Sequence, residues 1–322
     1  IITATKAIST LDALYEDGGA RFFSHLIVAP PHKPKPKSNE QSCLPGVFRQ
    51  VFPLKEGEAM VARLQAAPST PQIKALFSNN KEDRVTAERT LLAMQKLDDW
   101  DYNVFAMEQA TDGNALFYTI YAILYKLDLV SHFKLDDDVL RNFLTALQAG
   151  YHPNPYHNAT HAADVSHVNY FIMVTGGLID KCSLSKEEIL AGIIAGAIHD
   201  YDHPGFNNNF HTRTNAYLST LYNDRSILEN HHCACVYEMM RTPQFDFLAP
   251  LSAENKTSFR DTMIEMVLST DMGNHGKIFG LFRQRIDTRD WSDGKKEHVR
   301  LALSISIKMA GISNCARPSH LY

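Results

Sequence analysis

Two short stretches gather the side chains able to hold a cation: Tyr156-His157-Asn158-Ala159-Thr160-His161-Ala162-Ala163-Asp164-Val165, and His199-Asp200-Tyr201-Asp202-His203-Pro204-Gly205. Histidine offers a neutral nitrogen lone pair and carboxylate a hard anionic oxygen. That mixture suits zinc beside magnesium or manganese. His157 and His161 stand four positions apart, which on a helix puts both on one face. The spacing alone is a weak signal, because surface or core histidines produce it too. His199-Asp200 carries more, since it closes an apolar stretch. A charged pair there is costly unless partnered, and a metal would satisfy both groups. Pro204-Gly205 then breaks the helix and would hold Asp202 and His203 at the rim of a cavity. The residues read as a metal-dependent hydrolase.

The elements that must position these groups are helical. From Leu97 onward apolar residues recur at helical spacing. Asp136-Asp137-Asp138 precedes the stripe Val139, Leu140, Phe143, Leu144 and Leu147, and Gly150 follows it. Acids at the positive end and a terminal glycine mark a complete helix. Ser185-Lys186-Glu187-Glu188 is a capping box opening Ile189 to Ile198. That segment is apolar nearly all round and should be buried. Phe259, Met263, Met266, Val267 and Thr270 trace another helical stripe. Period-two strand patterns are nearly absent, so the expected fold is all-α: a compact multi-helix bundle with a metal site between helices. Residues 1–97 read as an extension holding a Pro/Lys-rich exposed linker at 30–41 and ending in a helix from about 85 to 97.

Composition narrows the class. The chain has 322 residues, 44% of them hydrophobic, enough for a large core. A net charge of −4 gives no reason to expect a nucleic acid or an anionic membrane as partner. The longest apolar run, Ile189 to Ile198, is too short to span a bilayer, so no membrane insertion is expected. The opening residues Ile1 to Lys6 lack the pattern of a secretory signal. Five cysteines form no CxxC pair, which fits free thiols in a reducing, cytoplasmic setting. Cys233 and Cys235 read as buried thiols, His231-His232 as packing or capping residues, and Trp291 as part of a loop.

The motifs, taken in order, resemble the catalytic domain of class I 3′,5′-cyclic nucleotide phosphodiesterases, whose core carries the HD-type metal motif. Supporting stretches are Trp100-Asp101-Tyr102-Asn103-Val104-Phe105, Thr214-Asn215, Tyr222-Asn223-Asp224, Ile227-Leu228-Glu229-Asn230-His231-His232 and Leu268-Ser269-Thr270-Asp271-Met272. The likeness covers residues 98–322 and leans towards the cAMP-hydrolysing branch. It implies roles residue by residue. His157 would be the general acid that protonates the leaving O3′. His161, His199 and Asp200 would bind zinc, with Asp200 also bridging to magnesium (manganese in its place). His203, Glu229 and Thr270 would hold waters on the second metal or orient His157, while Asp271 would lie beside the site without binding zinc. Tyr156, Met272 and Asn314 would lie near a cyclic nucleotide substrate, cAMP or cGMP. Two cations would neutralise the phosphodiester and turn water into bridging hydroxide.

Two departures from that pattern stand out. The resemblance implies an Asp supplying the last protein ligand to zinc where this chain has Gly311, in Ala310-Gly311-Ile312-Ser313-Asn314. Gly311 reads instead as a helix end needing a left-handed residue. The resemblance also implies further helices, after Tyr322, that carry a base-gripping glutamine and an aromatic clamp. These departures keep a second expectation open: a catalytically impaired relative that binds a nucleotide or a protein partner. Another HD-type phosphohydrolase, acting on nucleotide mono- or triphosphates, is the third.

Overall fold

The computed structural model describes residues 96–288 and 296–317. The 30–41 linker and Trp291 lie outside them. So does the helix read over 85–97, except Lys96 and Leu97, which form part of a turn. Among the described residues every regular element is helical, as the all-α reading requires. The longer helices are α1 (Ala115–Lys126), α2 (Asp137–Ala149), α3 (Ala159–Met173), α4 (Lys186–Ile198), α5 (Ile227–Met240), α6 (Ala253–Ser269), α7 (His275–Thr288) and α8 (Lys296–Gly311). None of the described helices is long and apolar enough to cross a membrane.

Local chemistry sets where the helices begin. Asp136 caps α2, its carboxylate accepting from the backbone N–H groups of Asp138 and Val139 at 3.0 and 3.1 Å. Ser185 and Glu188 close the expected capping box on α4, at 3.2 and 2.9 Å. Ser252 caps α6 by accepting from Asn255 N–H at 3.2 Å. Thr270, read as the end of the α6 stripe, is that helix's C-cap.

Helix α4 is the axis of the bundle. Every residue from Ile189 to Ile198 is buried, and α4 packs against α1, α3, α6 and α8. Each large aliphatic residue buried there contributes about 1.5–3 kcal/mol. The small residues between them let the neighbours close in. A Cβ added at Gly196 would lie 3.0 Å from Ser166 Cα on α3, and one at Gly192 would lie 2.9 Å from the Met173 thioether. Asn169 on α3 extends this contact: its amide donates to the Gly192 carbonyl at 2.8 Å, and its oxygen accepts from the Ser306 hydroxyl on α8. Polar and small residues thus lock three helices together around the one whose end carries His199-Asp200.

Gly196→Val forces two further carbons into the α3 backbone. It should lower the unfolding free energy by about 1–3 kcal/mol despite valine's better helix propensity. Chemical denaturation checks this; unchanged stability would mean that α3 and α4 part easily.

Candidate metal centre

The end of α4 delivers the central pair. His199 is its C-cap, and its Nδ1 lies 2.9 Å from the Gly196 carbonyl. A carbonyl only accepts, so Nδ1 carries the proton and Nε2 turns towards Asp200, 3.3 Å away. From α3, His161 brings Nε2 to 3.5 Å from the same carboxylate. The ligand atoms of His161, His199 and Asp200 lie within 4.8 Å of one another. The side chains are only 9%, 4% and 15% exposed.

His157 reaches this place differently from the helical pairing its spacing suggested. Asn158 is the N-cap of α3, its side chain accepting from His161 N–H at 3.0 Å, so His157 precedes the helix. Asn154 holds it there. The Asn154 amide donates to the carbonyls of His157 and His203, at 3.0 and 2.7 Å, and so ties the two motifs together. The rings of His157 and His203 stack with centroids 4.0 Å apart. His203 Nδ1 accepts from Gly205 N–H at 3.0 Å. Gly205 has φ +86°, a left-handed turn that a side chain would strain. The helix has already ended at His199, so Pro204-Gly205 turns the chain beyond it and does not break it, contrary to the sequence reading.

Electrostatics fit a cation. Burial pulls His161 down to about 3, His203 to about 4 and His232 to about 3, so these imidazoles are neutral near pH 7; the Gly205 N–H takes the lone pair of His203 and leaves those of His161 and His232 for a cation. Burial also lowers His157. His199 and Asp200 form the exception. Burial penalises both charges, but each stabilises the other, so His199 is raised and Asp200 held well below the usual carboxylate range. A nearly buried carboxylate beside the neutral imidazoles of His161 and His232, with His199 giving up its proton as a cation binds, is a donor set that suits a divalent ion.

Comparison with known proteins decides the relationship. The family described as 3′5′-cyclic nucleotide phosphodiesterase matches residues 156–322. The chain belongs to that family. Among its relatives is the rat dual specificity calcium/calmodulin-dependent 3′,5′-cyclic nucleotide phosphodiesterase 1B, 38% identical over 223 residues, covering 69% of this chain and 40% of the relative. The mouse 1C protein of the same description is 36% identical over 233 residues, covering 71% of this chain and 32% of the relative. The chain thus spans well under half the length of the curated relatives it matches.

Other residues singled out in this phosphodiesterase-family chain surround the cluster unevenly. Tyr156 is 41% exposed, its ring 4.4 Å from His161 and 5.0 Å from His157 between centroids. Glu229 on α5 accepts from the Asn208 amide at 2.9 and 3.3 Å, and burial pushes it up to about 7. Thr270 turns its hydroxyl back to the Val267 carbonyl at 2.7 Å. Met272 is 51% exposed on the turn Met272–Asn274, and Asn314 lies on the turn Ser313–Ala316. Among the described residues neither makes a hydrogen bond or ring contact with the histidines. Asp164 pairs with Arg317, which also reaches the Trp100 carbonyl, and it stands outside the converging group. Gly311 is the last residue of α8, and its backbone is not left-handed, contrary to the reading of a left-handed helix end. A Cβ there would meet nothing within 4 Å.

Sequence reasoning missed three groups. His232, read as packing, has Nδ1 on the Tyr201 carbonyl and Nε2 3.8 Å from the Asp200 carboxylate. Asn154 gave no signal beyond lying near a proline. Lys308 is buried in α8, donating to the carbonyls of Ser269 and Asp271 at 2.7 and 3.3 Å, and burial lowers it to about 8. Its one legible sign was a lone lysine within the run Leu303-Ser304-Ile305-Ser306-Ile307-Lys308.

Asp200→Asn should weaken zinc binding by more than the ~10–100-fold that loss of an outer-shell partner costs, read by competition with a chromophoric chelator. Unchanged affinity would put the ion elsewhere. A second outcome concerns Glu229. An acid raised on folding stabilises the protonated fold, so its contribution is fully present below pH 4.5 and is lost as pH rises towards 7. Melting of chelated Glu229→Gln should therefore lose that part of the decline; a decline identical to that of the parent chain would refute it.

Proposed function

We propose that this chain hydrolyses 3′,5′-cyclic nucleotides to 5′-monophosphates in a divalent-metal-dependent reaction, with cAMP favoured and cGMP accepted. The observation that carries this reading is the convergence of His161, His199 and Asp200 beside the stacked His157. Zinc would be held by those three donors, and magnesium (or manganese) would share Asp200. Bound cations would supply the positive charge that a phosphodiester needs before attack, and water activated near neutral pH.

His157 is the general acid in this reading. The water oxygen bonds to phosphorus as the P–O3′ bond breaks, its proton passing to solvent, and O3′ takes the proton from the imidazole, which avoids release of an alkoxide. Burial lowers the His157 pKa, and an anionic phosphodiester beside it raises it again, so the ring gains its proton as substrate arrives. The His203 ring stacked on it fixes its plane, and the Asn154 amide fixes its backbone. Glu229 and Thr270 would hold water on a second metal or orient His157. Tyr156 and Met272 offer apolar surface to the base, Asn314 selects it, and the cytoplasm is where the reaction runs.

Gly311 favours a second reading, in which the chain binds cyclic nucleotide or a protein partner without turning nucleotide over. Steady-state hydrolysis of cAMP and cGMP with zinc and magnesium separates the two. The expected result is turnover that a chelator abolishes, and a His157→Ala variant with kcat lower by about 10²–10⁴ and unchanged metal content. Binding without turnover would favour the second reading, and recovery in Gly311→Asp would trace the loss to that position.

A further inference from the structure

Asp200 and Asp202 stand two residues apart, yet they face different sets of partners. His161, His199 and His232 surround Asp200. His152, His231 and Cys235 surround Asp202. The adjacent residues His231 and His232, on successive faces of α5, are divided between the two carboxylates. We propose that Asp202, His231 and Cys235, with His152 at the open edge, form a second zinc site distinct from the one around Asp200.

The geometry is that of a site needing only small closure. His231 Nε2 lies 2.8 Å from Asp202 Oδ2, Cys235 Sγ lies 3.9 Å from the same oxygen, and the sulfur lies 3.5 Å from His231 Nε2. Four-coordinate zinc, with bonds of about 2.0–2.3 Å, sets its ligand atoms about 3.3–3.6 Å apart. Shifts of about half an ångström in these side chains would therefore centre an ion. His152 Nε2 lies 2.7 Å from the other oxygen of Asp202 and outside the group whose ligand atoms lie within 4.8 Å of one another, so it orients the carboxylate and leaves the fourth position to water.

The elements support this placement. His231 and Cys235 are i and i+4 on α5 and share its face. Asp202 has φ +59°, a left-handed conformation that aspartate tolerates, in the turn leading from α4 to Pro204-Gly205. That turn gives its carboxylate partners that Asp200 does not share. The side chains of Asp202 and His152 are 38% and 53% exposed, so an ion can arrive from solvent.

The donors select the metal. A thiol with an imidazole and a carboxylate suits zinc and is a poor host for magnesium or calcium, which prefer all-oxygen shells. Burial and the Asp202 carboxylate push the Cys235 thiol up to about 11, so the sulfur is protonated until a cation displaces the proton to solvent. Cys235 thus becomes a ligand, where the sequence suggested an inert buried thiol. Neighbouring Cys233 is the buried one and faces no such partners.

Cobalt(II) is the probe, because sulfur ligation gives a thiolate charge-transfer band that a His/Asp site cannot produce. The full chain is stripped with chelator and titrated with cobalt(II), with absorbance followed across the ultraviolet and visible. The expected result is a thiolate band that Cys235→Ser abolishes and His161→Ala leaves in place. His231→Gln should raise the cobalt concentration for half-formation of that band at least ~tenfold. Melting in chelator checks that each variant folds. Saturation without a thiolate band would overturn the proposal and leave Asp202 as a hydrogen-bond acceptor only. A band surviving in Cys235→Ser would overturn it equally, by assigning the sulfur to another cysteine. Neither outcome depends on whether the Asp200 centre hydrolyses cyclic nucleotide.

Discussion

The rest of the site depends on keeping the carboxylate of Asp200 partnered. That residue follows directly on an apolar helix buried along its length, where an ionised acid without partners would be unfavourable by several kcal/mol. The fold surrounds it with imidazoles from three elements: His161 from α3, His199 from the end of α4, and His232 from α5. Each of those helices is anchored by its own polar contacts, so their convergence does not rest on the charge alone. Burial keeps His161 and His232 neutral, while His199 shares the charge of Asp200. A site this dry strengthens every interaction a cation would make there.

Much of this was legible in the sequence because it depends on short-range rules. A serine three residues before a glutamate, followed by an apolar run, had to open a buried helix, and α4 obeys. His199-Asp200 at its end had to be partnered, since an apolar helix ends in apolar surroundings. The fold class followed from the same periodicity. What could not be read was direction. His157 and His161 share a spacing that helix geometry would explain, yet Asn158 spends its side chain capping α3 and leaves His157 outside. A cap and a helical interior residue look alike until the hydrogen bond is seen. His231 and His232 present the same difficulty. As neighbours on a helix they must diverge by about a third of a turn, and only tertiary packing says which carboxylate each one meets.

Long-range contacts were the least legible. Asn154 joins two motifs nearly fifty residues apart through a single amide. Lys308 in α8 reaches the carbonyls that end α6, and its charge lies near Glu229 and Asp271. A buried lysine in an apolar stripe reads from sequence as a solvated interruption. Here its ammonium is the donor for carbonyls at a helix end that has lost its own partners. Gly311 was misread for a related reason: glycine after a helical stripe usually signals a left-handed cap, but this one completes α8 with helical backbone.

Lys308 and Gly311 belong to one helix and bear on one electrostatic question. Where the family resemblance places an aspartate on α8, this chain has no side chain, and one turn earlier it holds a buried cation. Removing an anion and placing a cation nearby act in the same direction: both reduce the negative potential that draws divalent ions into the site. Glu229 acts against them. It sits near Asp200 and Asp271, is protonated at low pH, and gains its charge close to neutrality. Part of the negative charge around the cluster therefore depends on one carboxyl that ionises close to neutrality. Asp200 itself is already charged there, held so by His199. The two carboxylates thus differ by environment: the deeply partnered one stays ionised, and the charge of the amide-bound one depends on pH.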